Sequence, residues 1–172
     1  DIVPRDVGKH KARVQARRLR YLRRGLPVRA ITGSVEDLPL GQLRADVILA
    51  CLDSRRARQH VNEIAWRIGA PWIDAGVHGE HLLARVNVYL PGEDKPCLEC
   101  AWSKSDYEAI EQAHPCLGEE AQNAAPTNAP SSLGALAAAL QALECQKLLA
   151  GQIDQVAVGR QVTVDAAWHK YY

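Results

Sequence analysis

Residues 45–53 read A-D-V-I-L-A-C-L-D, and no other stretch constrains the fold as much. Val47 to Leu52 is an unbroken apolar run that stops at a carboxylate. Without polar alternation, such a run suits a strand buried on both faces of a parallel sheet. Residues 54–69 follow with helical spacing, so the run is a strand feeding a helix, with Asp53 and Ser54 at the turn. Ligands of open α/β sheets bind outside the carboxyl ends of the strands, and Asp53 stands at that edge. The competing reading makes Asp53 the N-cap of the helix.

The remaining elements alternate helix and strand. Asp6 is placed to cap a basic helix from about Gly8 to Arg24, which Gly25 and Pro27 end. Pro27 to Val35 alternates like a strand, Trp72 to Ala75 reads as a short buried strand, and Leu82 to Leu90 alternates again. Pro91 to Lys95 is a turn, and from Ser103 to Pro130 the pattern disappears into a long loop. A long Ala/Leu-rich helix, capped by Ser131 or Ser132, closes at Gly151 as a C′ glycine, and Gln155 to Val164 alternates as a last strand. This order predicts an α/β fold: a twisted sheet flanked by helices, in one domain over residues 1–172.

Charge and cysteine content narrow the function classes. A net charge of +1 gives no push towards nucleic acid or a membrane surface, so the basic first helix reads as a solvated face. No apolar run approaches the roughly 18 residues that a membrane span needs. Five cysteines without a secretory signal point to reduced thiols or metal ligation in a cytoplasmic setting. The chain holds no methionine, so it is read as a piece of a longer polypeptide.

Three further groups of residues carry possible chemistry. Cys97 and Cys100 form C-x-x-C on a turn, a spacing that lets two thiolates reach one tetrahedral zinc; a redox pair and two plain reduced cysteines are the alternatives. Cys116 sits beside His114 in the long loop, where an imidazole would favour a reactive thiolate; an incidental cysteine is the competing reading. Cys51 and Cys145 read as buried and inert. Lys11 falls in the first turn of the first helix, where free backbone N–H groups favour a phosphate. No G-x-G-x-x-G or P-loop occurs. His10, His60, His78, His81 and His169 show no metal-ligand spacing with one another and carry no assigned role.

In order and spacing these pieces resemble the ThiF/MoeB/HesA family, relatives of ubiquitin-activating enzymes. The resemblance rests on D-V-G-K-H-K-A before a basic helix, A-D-V-I-L-A-C-L-D-S with Arg58 and Asn62 following, and G-A-P-W-I-D-A-G-V-H-G. P-C-L-E-C, a crossover loop with Cys116 and the S-L-G-A-L-A-A-A-L-Q-A-L-E-C-Q-K-L-L-A-G helix complete it. It implies a Rossmann-like sheet, incomplete at its N-terminus. Residues 1–90 would be the remainder of a nucleotide-binding half, 91–130 the C-x-x-C and crossover loop, and 131–172 a long helix and C-terminal strand. It also implies an adenylyltransferase that uses ATP and Mg²⁺ to activate the C-terminal carboxylate of a ubiquitin-like or sulfur-carrier protein ending in Gly-Gly, and that works as a homodimer.

Residue by residue, the resemblance assigns Lys11 to the phosphates and Asp53 to Mg²⁺ and the adenylation step. Arg58 and Asn62 become nucleotide-binding residues. Cys97 and Cys100 become the first half of a structural zinc site, and Cys116 a reactive cysteine. The family's glycine-rich loop, ribose-binding acid and Asn/Arg motif are expected before Asp1, and the second C-x-x-C after Tyr172. Ser54 departs from the usual Asn. A non-catalytic binding or dimerisation module lacking the nucleotide loop is the alternative function. An ordinary nicotinamide- or flavin-binding fold fits less well, because the fingerprint glycines are missing.

Overall fold

The structure, a computed structural model, describes residues 3–110 and 129–172; Cys116 lies outside the described residues. The chain divides into two compact units, Asp1–Leu38 and Pro39–Tyr172. In the first, helix α1 spans Lys11–Leu22, with Lys11 as its first residue. The expected start at Gly8 and the expected Asp6 cap are both corrected. Gly8 has φ +79°, outside the helical region, and the cap position is His10, which makes no side-chain cap bond. Asp6 is buried and pairs instead with Arg17 and with Arg18, at 3.7 Å from the latter. The bond from Arg17 is the main cause of its carboxyl lying below the usual range. The strand expected over 27–35 is absent. The segment has no ladder partner, and alternation without a partner leaves extended chain that ends in a single helical turn, Val35–Asp37.

The second unit is built on a five-stranded sheet in the order β1 (Ile48–Ala50), β2 (Trp72–His78), β3 (Leu83–Tyr89), β4 (Gln161–Asp165), β5 (Lys170–Tyr171). Helices α2 (Arg55–Ile68) and α4 (Ser131–Leu149) flank it, so the α/β fold class holds. The apolar run does pair in parallel, β1 with β2, whereas the later pairs among the described strands are antiparallel. The apolar run yields a strand of three residues, with Leu49 46% exposed and Cys51 exposed. It is therefore not buried on both faces. It lies at an edge of the described sheet, where Leu49 stays exposed although Gln141 of α4 reaches Ala50.

Strand alternation divides the sheet into two unlike faces. Ile73, Ala75, Ala84, Val86 and Val88 point one way and form the apolar core with Leu133 and Ala137 of α4 and with Val156. Trp72, Asp74, Gly76, Arg85, Asn87 and Tyr89 belong to the other face, which α2 meets. Trp72 stacks on its cross-strand partner Tyr89, ring centroids 4.6 Å apart. Burial pushes the Tyr89 hydroxyl up to about 12, with the negative charge of Asp74 adding to the effect.

The ends of the helices follow local chemistry. Ser54 caps α2, its hydroxyl accepting the Ala57 N–H at 3.0 Å, and Gly69 closes the helix at φ +69°. Helix α4 ends at Ala150 and Gly151 (φ +70°), where the N–H groups of Gly151 and Gln152 bond back to the carbonyls of Leu148 and Lys147. Its start differs from expectation: Pro130 holds the cap position, and Ser131 and Ser132 lie in the first turn. A short helix, α3 (Lys104–Glu108), interrupts the stretch expected to lack structure. Its Ser103–Asp106 capping box is the cause, and those bonds hold the Asp106 carboxyl below its usual range. The last strand starts later than expected, because Ile153–Gln155 forms a 3₁₀ turn and Gly159 breaks the chain at φ +68°.

One polar residue of α4 ties the layers together. Gln141 is buried, and its amide donates to Ala50 O at 3.0 Å and to Ile73 O at 2.8 Å. Its oxygen accepts from the Cys51 thiol at 3.3 Å. Replacing it with an apolar residue of similar size would leave polar groups buried without partners, at about 1–3 kcal/mol. Gln141→Leu is expected to lower the unfolding free energy by that amount in urea titration. An unchanged midpoint would contradict the clamp.

Candidate functional site

Asp53 lies just beyond the carboxyl end of β1 and is exposed. Because Ser54 is the residue that caps α2, the reading of Asp53 as the N-cap is set aside. One turn further on, Arg58 turns back towards this end of the sheet. Its Nε donates to Asp74 Oδ1 at 2.8 Å, and its Nη2 bonds the carbonyl of Leu52, the residue before Asp53. The guanidinium thus spans from β2 to the loop that carries Asp53.

Asp74 itself is fully buried. Arg58 supplies its hydrogen bond, and its side chain is only 12% exposed. Arg85 approaches the other oxygen at 3.4 Å, an ion pair without hydrogen-bond geometry, and is 36% exposed. Gly76 makes room for both arginines: a Cβ there would stand 3.2 Å from Arg85 Nε and 3.5 Å from Arg58 Nη2. Asp74, Arg85 and Gln141 were not marked as site residues in the sequence. Two of them had a signal, since each is a single polar residue inside an otherwise apolar window, W-I-D-A and A-L-Q-A-L.

Asn62 follows Arg58 by four residues and so lies on the same face of α2. It is buried, and its side-chain oxygen accepts the N–H of Leu98 at 3.2 Å. Leu98 stands between the two cysteines of the C-x-x-C, so one helix face ties both the β1 edge and the cysteine loop. In that loop the Cys97 and Cys100 sulfurs are 3.6 Å apart, and the Cys97 N–H points to the Cys100 sulfur at 3.4 Å. Glu99 anchors the loop further through Gln59 (2.9 Å) and Tyr107 (3.2 Å).

The expectation that Cys51 and Cys145 are both buried is also corrected. Cys51 is exposed at the end of β1, although its thiol reaches Gln141 of α4, and Cys145 is half-buried against the core. Partial burial of the Cys51 sulfur raises its pKa above the ordinary thiol value, against the lowering effect of Gln141. Lys11 lies exposed at the start of α1, within the first unit.

The Asp74–Arg58 pair yields an unequal prediction for its two arginines. Removing Arg58 leaves the fully buried carboxylate without its hydrogen bond, so Arg58→Ala is expected to cost about 3–5 kcal/mol in urea unfolding. Arg85→Ala is expected to cost about 1 kcal/mol or less, because that pair is partly solvated and lacks a hydrogen bond. Equal losses would contradict the assignment of Arg58 as the principal partner.

Comparison with known proteins bears on what this edge does. The chain matches the ThiF family over residues 2–170. It is 26% identical over 148 residues to the sulfur carrier protein ThiS adenylyltransferase of Escherichia coli K12, covering 85% of this chain and 53% of that protein. A shorter match, 29% identical over 68 residues, is to ubiquitin-like modifier-activating enzyme 5 of Dictyostelium discoideum, covering 40% of this chain and 16% of that protein. Among solved structures, E. coli MccB with ATP aligns at a TM-score of 0.75 and 21% identity, covering 99% of this chain and 49% of that one. The chain thus spans about half the length of the ThiS adenylyltransferase and of MccB, and the likeness to MccB is one of fold. With a family match running through nearly all of its residues, from the basic helix to the last strand, the chain belongs to the ThiF family.

Proposed function

We propose that this chain forms part of an adenylyltransferase that activates the C-terminal carboxylate of a ubiquitin-like or sulfur-carrier protein ending in Gly-Gly. The observation that carries the reading is Asp53 at the carboxyl edge of β1, released from capping by Ser54, in a ThiF-family chain. In the reaction an oxygen of the carrier carboxylate attacks the α-phosphorus of ATP. The bond from that phosphorus to the bridging oxygen breaks, and pyrophosphate leaves with its electron pair. Two anionic reactants repel, so the site must supply positive charge and fixed geometry.

An exposed carboxylate at a strand end is a fitting oxygen ligand for Mg²⁺, and Asp53 is the residue proposed to hold it. The ion would screen the phosphate charge. Lys11, at a helix N-terminus, is proposed to meet the phosphates. Arg58 is proposed to act on the nucleotide edge while its bonds to Asp74 and Leu52 keep the Asp53 loop in place. Asn62 serves the nucleotide side through the cysteine loop that it anchors. Cys116 stays proposed as an acyl-accepting thiol.

Cys97 and Cys100 suit structural zinc. Thiolates on one tetrahedral zinc stand about 3.8 Å apart, given zinc–sulfur bonds of about 2.3 Å, and these two sulfurs are at 3.6 Å. Among the described residues no third ligand joins them, so the site would need two more from elsewhere. The outer face of α4 exposes Ala135, Ala138, Ala139, Ala142 and Leu143, small enough for close helix approach, and is proposed to meet a second copy in a homodimer. A cytoplasmic setting is proposed on the reduced cysteines; no described helix is long and apolar enough to cross a membrane.

The test is ATP–pyrophosphate exchange by the full-length protein with a candidate Gly-Gly-ended carrier. Asp53→Ala is expected to lower carrier-dependent exchange by at least about a hundredfold, roughly 2.7 kcal/mol of transition-state stabilisation. Exchange unchanged in the variant would remove Asp53 from the mechanism. No exchange with any carrier, in protein that folds, would favour the non-catalytic module.

A further inference from the structure

The β2–β3 hairpin brings together three residues that sequence spacing gave no reason to group. One ring nitrogen of His78, a carboxylate oxygen of Glu80 and one ring nitrogen of His81 all lie within 4.8 Å of one another. The two imidazoles are nearly parallel, 18° between planes and 4.7 Å between centroids. The geometry points to a binding site for a divalent late first-row transition metal at the tip of this hairpin, formed by residues other than Asp53 and the cysteine pair.

The hairpin creates the cluster. His78 ends β2 and pairs with Leu83, so only residues 79–82 form the connection. A bond from Leu82 N–H to Gly79 O closes it, with Leu82 at φ +49°. His78 and His81 thereby stand side by side, and the His81 N–H reaches His78 Nδ1 at 3.4 Å. Three ligands already gathered by one tight turn lose little chain entropy on binding.

The donor set decides the class of ion. Two imidazoles and one carboxylate suit Zn²⁺, Co²⁺, Ni²⁺ or Cu²⁺ better than Mg²⁺ or Ca²⁺, which prefer oxygen. All three residues are exposed, so three protein ligands would leave further positions to water.

The experiment is Co²⁺ titration of the chelator-stripped full-length protein, followed by visible absorption and by bound metal after gel filtration. Cobalt on thiolates gives a near-ultraviolet charge-transfer band, whereas cobalt on imidazole and carboxylate gives only weak visible bands. The native protein is expected to bind one equivalent more than His78→Ala/His81→Ala, with any thiolate band equal in the two. Glu80→Gln is expected to weaken the extra equivalent by about tenfold or more. Because the three side chains are solvent-exposed, the variants are expected to keep the metal-free circular dichroism of the native protein. Equal stoichiometry in native and double-variant protein would overturn the proposal, as would a lost equivalent that carries the thiolate band. Neither result bears on pyrophosphate exchange.

Discussion

The fully buried carboxylate of Asp74 organises the side of the sheet that α2 covers. A charge in that position is tolerated only with a partner, and Arg58 supplies one through a 2.8 Å bond. The same guanidinium holds the Leu52 carbonyl, so the cost of burying one ion pair also positions the loop that carries Asp53. Gly76 fits this arrangement, since a Cβ there would crowd the Arg85 side chain at 3.2 Å. The pair thus links a strand, a helix and the loop that carries Asp53 in a single contact.

The opposite face shows the complementary solution. There the core is almost wholly aliphatic, and α4 covers it with Leu133 and Ala137. The exception is Gln141, whose amide reaches two strand carbonyls close to where β1 ends. An apolar layer of this kind supplies stability without direction, whereas one amide between two strands fixes register. Glu144, three residues later, takes the Ala157 N–H at 2.8 Å and secures the chain after the helix. Asp74 and Gln141 therefore brace the same sheet from its two faces.

Much of this was legible in the chain. The run ending at Asp53 produced a strand, though a short one, the glycines close α2 and α4, and the strands expected at Trp72–Ala75 and Leu82–Leu90 fall in β2 and β3, because these depend on local chemistry. What failed depends on neighbours. Residues 27–35 alternate but lack a partner strand among the described residues, and Leu49 is apolar yet half-exposed on an edge strand. At the candidate site, Asp53 and the C-x-x-C stood out by position and spacing. Arg58 carried no sign that it binds Asp74, and His78 with His81 became neighbours only through the tight hairpin turn. Spacing rules describe ligands from helices and knuckles, and they miss a cluster gathered by strand ends.

The chemistry proposed for the Asp53 edge makes one atom traceable. If the carrier carboxylate attacks the α-phosphorus, one of its oxygens remains on the phosphate when the acyl group is passed on. A carrier whose terminal carboxylate is labelled with heavy oxygen, incubated with ATP, the full-length protein and an acyl acceptor, therefore reports the bond that formed. The account predicts that the released AMP carries the label while pyrophosphate does not. Label recovered in inorganic phosphate, with ADP as the nucleotide product, would mean attack at the γ-phosphorus and would contradict it.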